Sequence, residues 1–301
     1  RVVSLLYVML LAGTVVCALL FGLLLRDFSA IRLIQVVQGA AMLTLGLNLV
    51  ALWKQEARDP SRTTGAGREI TFAARWAEFT RDGRRQRFLV AVGLGTAAFT
   101  MQDVLLEPYG GEILHLAVAA TTTLTAFQAI GAIAAFALAA RRLGRGGDPH
   151  RLAAFGLLAG VVAFAAVIFS AALASPLLFR TGTLLIGFGA GLFAVSTLTL
   201  AMDVDRSDNS GLALGAWGAV QATAAGTGIA LGGFLRDAVG ALAQHGALGP
   251  ALTDATIGYS FVYHVEIALL FCALVAIGPL VRTAATRARP TQPFGLAEFP
   301  G

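Results

Sequence analysis

The sequence predicts an all-α polytopic membrane protein, and three observations carry that prediction. Of its 301 residues, 57% are hydrophobic and only 13% are charged, about half the charge of an average soluble domain. Mean hydropathy is +0.76, so the chain has too little polar surface to cover itself in water. Apolar runs long enough to cross a hydrocarbon core of about 30 Å, roughly 20 helical residues each, recur eight times, at 2–25, 31–53, 88–106, 114–140, 152–174, 177–201, 211–235 and 259–281. The runs are apolar all round with little two-residue alternation, which argues against a transmembrane barrel.

The first run begins straight after Arg1, with neither an initiator Met nor a small-residue cleavage site behind it. It is therefore expected to be a span rather than a signal peptide, and the chain to be part of a longer protein. With the second run it makes a first unit, 1–53. A polar stretch, 54–87, follows. Its second half places Ile70, Phe72, Trp76 and Phe79 at helical spacing among Arg75, Arg81, Arg84, Arg85 and Arg87. This pattern suits an amphipathic helix on an anionic leaflet or a simple linker helix. Six runs joined by mostly short turns fill 88–281, and a tail, 282–301, closes the chain. Two spans, a long basic connector and six more spans suggest a six-plus-six, major-facilitator-like helical bundle. On that reading the eight spans are the last two helices of the N-terminal half and the whole C-terminal half.

Orientation follows from the cations. With residue 1 on the cytoplasmic side, alternate segments place 18 Lys and Arg inside and four outside, the latter being Arg26, Arg32, Arg180 and Arg236. The positive-inside rule requires this arrangement, which puts both ends in the cytoplasm. The isoelectric point near 9.9 thus reflects membrane topology and contact with anionic lipid, and no nucleic-acid partner is expected. Cys17 and Cys272 lie inside apolar runs and read as small core residues, without disulfide or zinc spacing.

The third run ends in QDVLLEPYGGE, residues 102–112. On a continuing helix Asp103 and Glu107, four apart, share one face beside Gln102, and Pro108 with Gly110 and Gly111 stops the helix. A carboxylate at the bilayer centre costs about 2.5–3.5 kcal/mol on insertion scales. Such groups must face the bundle interior, pair or take a proton. These are candidates for a proton, cation or polar-ligand site; the alternative is that Asp103 hydrogen-bonds a neighbouring helix while Glu107 and Glu112 sit among headgroups. Glu266 in the last run belongs to the same class. The pairs Gly187–Gly191, Gly211–Gly215 and Gly228–Gly232 are small-xxx-small faces that let helices approach closely. They predict internal packing or a flat groove that docks a partner helix or a planar ligand, with Trp217 placed to stack there. Asp203, Asp205 and Asp208 faintly suggest a magnesium–diphosphate site, but the sequence holds no second Asp-rich cluster to face them, and Asn209–Ser210–Gly211 also suits a helix start.

Three stretches, LLRDFSAIRLIQVVQGAA (24–41), QDVLLEPYGGEIL (102–114) and GLALGAWGAVQATAAG (211–226), resemble the PucC/LhaA family, the bacteriochlorophyll-delivery branch of the major facilitator superfamily. The connector ARRLGRGGDPHR (140–151) keeps the basic residues and glycines of the superfamily's loop but not its ordered Asp-Arg pattern. The resemblance implies an assembly factor for bacterial light-harvesting complexes in the inner, intracytoplasmic photosynthetic membrane, performing no bond chemistry. It implies antenna polypeptides as partners and bacteriochlorophyll, with carotenoid, as the bound pigment. The pigment's magnesium accepts one axial ligand, for which His115 and His264, near the starts of the fourth and eighth spans, are the candidates. Glu266 lies about 200° around the helix from His264 and cannot share its face. The alternatives are a proton-coupled secondary transporter, with Asp103, Glu107 or Glu266 titrating, and a subunit of bacteriochlorophyll synthesis.

Overall fold

A computed structural model of the protein describes residues 29–53, 72–203 and 210–286, together with Met9, Gly13, Val16, Cys17, Leu20, Phe21 and Leu24, all helical. The chain divides into two compact units, 1–75 and 76–301. In the first, α1 (Ala30–Leu52) starts where the Ser29 hydroxyl accepts a hydrogen bond from the Arg32 amide at 3.1 Å. No residue of its apolar stretch Ile34–Ala51 is buried, the behaviour of a helix whose solvent is lipid or another helix. Most of the first predicted run, and most of the connector, lie outside the described residues.

Helix α2 (Phe72–Arg81) spans the boundary between the units. Within the second unit its end seats Phe79, 3% exposed, against Ala213 and Ala216, while Arg85 lies 4.9 Å over the Phe79 ring. Asp82 then caps α3 (Gly83–Thr100) by accepting the Arg84 amide. A 3-10 turn, Met101–Val104, interrupts the span, and α4 (Leu106–Glu112) completes it. The interruption has a chemical cause. Pro108 has no amide to give the Val104 carbonyl and its ring would clash there, whereas in the first turn of a new helix it is tolerated. The predicted stop at Pro108 is thus a restart, and Asp103 and Glu107 stand on either side of a change of register instead of on one continuous face.

The remaining helices are α5 (Val118–Leu143), α6 (Pro149–Ala172), α7 (Pro176–Asp203), α8 (Ser210–Gln244) and α9 (Thr256–Thr286). Asp148 starts α6 with Pro149 in its first turn, and Asp254 accepts the Thr256 amide at the start of α9. Among the described residues there is no strand, and six helical segments are long and apolar enough to cross a membrane: α1, α3 through α4, α5, α6, α7 and α9. The chain is an all-α polytopic membrane protein. The 35-residue α8 is not one of the six, because its glycines, threonines and Gln221 dilute its hydropathy. It coincides with the seventh predicted run and extends it by a polar turn and more, through Arg236 and Asp237.

Packing within the second unit runs α5 against α7, α7 against α6, α6 against α9, and α9 against α3 and α8. Lipid supplies no hydrophobic drive between helices, so close approach must come from small residues. At Gly156 and Gly189, facing each other across α6 and α7, an added Cβ would press on the opposite backbone. The centre is aromatic: Phe99 lies 6.2 Å from Phe164 and 6.1 Å from Phe193, and Phe164 stacks on Tyr263 at 6.2 Å. The cysteines correct the sequence reading. Both Cys17 and Cys272 are exposed, since an apolar run in a membrane protein has an outward face as greasy as its inward one.

Candidate functional site

The 3-10 turn brings the first polar group together. Gln102, 1% exposed, is fixed by its own turn, donating from Nε2 to the Phe99 carbonyl at 3.2 Å and to Asp103 Oδ1 at 2.5 Å. Its Oε1 accepts from Gln128 Nε2 of α5 at 3.3 Å. The broken helix thereby turns Gln102 inward and leaves Asp103 exposed, with Glu107 exposed on the next helix. The three residues do not converge on one ligand position.

A second polar group forms at the far end of α4, and the sequence reading assigned no site to its centre. Arg236 of α8 donates through Nη2 to Glu112 Oε2 at 2.7 Å and to the Tyr259 hydroxyl at 2.6 Å. Tyr259 of α9 donates to the same Glu112 oxygen at 2.7 Å. Nη1 of Arg236 meets Asp237 at 2.7 Å, and the guanidinium lies 4.5 Å over the Tyr259 ring. Three helices are tied at one end by a single cation. Two cavities of about 230 and 280 Å³ adjoin it, sharing Glu112, Arg236 and Asp237. The sequence signal was Arg236 itself, one of four cations predicted on the sparsely charged side, with Glu112 predicted at the same level.

Beneath this group lies the third. Tyr109, buried, donates to the Val167 carbonyl at 3.0 Å and meets Tyr259 and Tyr263 edge-on, each at 5.4 Å. Tyr263 and Glu266 are both fully buried, and the Tyr263 hydroxyl and both Glu266 carboxylate oxygens have no hydrogen-bond partner among the described residues. A buried carboxyl without a partner is costly, and a polar group in that position inside a membrane protein is a functional candidate.

The two candidate imidazoles separate. His115 is exposed and sits at φ 52° in the turn between α4 and α5, outside any helix. His264 is exposed on α9, and its Nδ1–H donates to the Ser260 carbonyl at 2.6 Å. His150 meets Asp148 through Nδ1 at 3.1 Å. Burial there disfavours the Asp148 anion, but hydrogen bonds from His150 and the charges of His150 and Arg151 prevail and hold its carboxyl below the usual range.

The glycine faces are mostly filled from within. A Cβ at Gly187 would strike the Gln128 backbone, at Gly191 it would meet Ala132, at Gly228 Ala97 and Thr100, and at Gly232 the Met101 carbonyl. For these four the predicted groove is closed by the protein's own helices. Gly211 and Gly215 open on free space. Trp217 is held by donating to Thr197 Oγ1 at 3.3 Å. The Asp-rich turn lies outside the described residues beyond Met202 except for the backbone of Asp203. Among the described residues no three His, Cys, Asp or Glu come together as a metal site.

Residues 1–285 match the PUCC protein family. The chain is 53% identical over 242 residues to Protein PucC of Rhodovulum sulfidophilum, covering 79% of this chain and 53% of that protein. It is 49% identical over 307 residues to an uncharacterized protein from the puhA-bchM intergenic region of Rhodobacter capsulatus, covering all of this chain and 64% of that one. It is also 28% identical over 302 residues to the bacteriochlorophyll synthase 44.5 kDa chain of Rhodobacter capsulatus, covering 93% of this chain and 64% of that one. The chain thus spans less than two thirds of the length of these relatives. No solved structure matches it.

Proposed function

Because the chain belongs to the PUCC protein family, we propose that it serves the bacterial light-harvesting system as a membrane assembly factor, holding bacteriochlorophyll, and carotenoid with it, for transfer to antenna polypeptides. Family membership supports the light-harvesting role, and the similarity to a relative named as a bacteriochlorophyll synthase chain supports the pigment. The geometric observation that carries the reading is exposed apolar helix surface, such as Phe261, Phe271 and Val275 of α9, beside a filled aromatic centre. Phe99, Phe164, Phe193 and Tyr263 fill the middle of the bundle. The two cavities beside Arg236, about 230 and 280 Å³, fall below the roughly 300–1,000 Å³ that enclose a drug-sized ligand. A pigment would be met on outward, apolar helix faces, where its hydrocarbon tail shares the lipid and a partner helix can receive it.

In this reading the protein lies in the photosynthetic membrane with both ends of this chain cytoplasmic, as its 18-to-4 distribution of cations supports, and its six-helix unit is the C-terminal half of a major-facilitator-like bundle. The deciding experiment is to purify the intact protein from its native membrane and record its absorption. Near-stoichiometric bacteriochlorophyll is expected; pigment-free protein that still restores antenna assembly would overturn the delivery step. A second reading, proton-coupled transport of a small or lipid-like solute, is favoured by Glu266, fully buried and without a hydrogen-bond partner among the described residues. Its test is solute flux in proteoliposomes, which Glu266→Gln must abolish.

A further inference from the structure

We propose that His264 is the axial ligand through which the protein holds a magnesium tetrapyrrole flat against the outward face of α9. The inference rests on the pigment-holding reading above and adds a site to it.

The bond to Ser260 decides the ring's chemistry. A carbonyl oxygen can only accept, so Nδ1 carries the proton. In the metal-binding form of the ring the lone pair is then on Nε2, the arrangement in which a backbone carbonyl orients a metal-binding histidine. Among the described residues Nε2 takes no hydrogen bond. His264 stands eight residues into α9, about 12 Å along its axis, within the stretch long and apolar enough to cross a membrane. Water is scarce there and lipid tails offer nothing to an imidazole acceptor.

The surrounding face fits a flat, apolar ligand. At 100° per residue, Ala268, Phe271 and Val275 fall within about 40° of the His264 line, and Phe261 within about 60°. All are exposed, Phe261 at 43%, Phe271 at 51% and Val275 at 76%. Ala268, one turn from His264, presents only a methyl group, leaving room for a macrocycle beside the ring, with Phe271 and Phe261 bounding it along the axis. An apolar helix or an acyl chain laid on this face would leave Nε2 unsatisfied; a five-coordinate magnesium would not. Glu266 points to the opposite, buried side. The other histidines lack the combination: His150 is engaged by Asp148, and His245, although bonded to the Ala241 carbonyl at 2.6 Å, lies in the turn after α8.

The test titrates the full-length protein in detergent with bacteriochlorophyll and, separately, with its metal-free counterpart, reading affinity and the magnesium coordination signature in the visible and resonance Raman spectra. The wild type is expected to prefer the magnesium pigment by about tenfold or more, one good contact, with an imidazole-ligated signature. His264→Leu should erase both the preference and the signature while keeping the residual affinity for the metal-free pigment. His264→Gly with added imidazole should restore the signature, separating ligation from folding. If His264→Leu binds the magnesium pigment with the wild-type signature, the ligand assignment falls and the pigment-holding reading stands. If the wild type binds no pigment, or binds both forms equally, the assignment falls as well, and in the first case the pigment-holding reading falls with it. A second copy or an antenna helix covering this face would appear as protection of His264 without a metal preference, and would likewise overturn it.

Discussion

At the scale of single residues, the protein places its polar groups unequally. Gln102 is fully engaged, Glu112 and Arg236 satisfy one another, and Glu266 is left with nothing. A carboxyl buried without a partner is a cost to stability, so Glu266→Met should stabilise the purified protein by about 1–3 kcal/mol, read as a raised unfolding midpoint in detergent. An unchanged or lower midpoint would mean that a bound group satisfies the carboxyl. Arg236 and Glu112 are each partly exposed, which limits their pair energy. Removing both should nonetheless be less damaging than the two single losses added together. A double-mutant cycle is expected to give a coupling near 0.5–1 kcal/mol. Most of this was hidden in the sequence. Glu266 was legible as an acid in a greasy run, but pairing of Glu112 with an arginine 124 positions later depends on how three helix ends meet. His264 and His115 looked equivalent as letters; only the backbone separates a helical imidazole bonded to the Ser260 carbonyl, four residues back, from one in a left-handed turn.

Among the elements, glycine decides which helices can touch. Gly187→Leu would drive a side chain into the Gln128 backbone and should cost about 1–3 kcal/mol or more through overpacking, with loss of the folded peak in size-exclusion chromatography. Gly215→Leu opens on free space and should leave that peak intact. The small-xxx-small spacing announced both positions but could not say which had a neighbour. The start of α6 is sensitive to acid. Asp148 has a folded-state pKa below its unfolded one, so its contribution is present above about pH 3.9 and disappears as pH falls through the lowered value. Asp148→Ala should cost about 0.5–2 kcal/mol as a lost helix cap and remove that part of the acid dependence, measured by thermal unfolding from about pH 6 down to about pH 2. Asp-Pro before an apolar run is the pattern of such a start, although no cap was expected there. The break at Met101–Val104 was half legible: Pro108 signalled an end, but a proline also suits the first turn of a new helix, and only packing selects that outcome.

For the molecule as a whole, hydropathy carried most of the architecture. Six of the eight predicted spans appear as helices apolar enough to cross a membrane, and a seventh as the long α8. Long apolar runs have few folded options in lipid, which is why this level was readable and side-chain pairing was not. The placement of cations predicts sidedness. In sealed vesicles, a cysteine replacing Arg145 in a background without Cys17 and Cys272 should react with an impermeant reagent only from the cytoplasmic side. One replacing Gly246 should react only from the opposite side. Labelling of both from one side would invert or dissolve the threading.

Cys272 is a natural thiol on the same helix as the proposed pigment face. Exposed on α9 and eight residues beyond His264, it is offset by about 12 Å along the axis and 80° around it. Once Cys17 is replaced by Ser, a fluorophore attached there becomes an optical ruler. Any chromophore seated about two helical turns away would quench it, and each hand-over to a recipient would register in real time as returning emission.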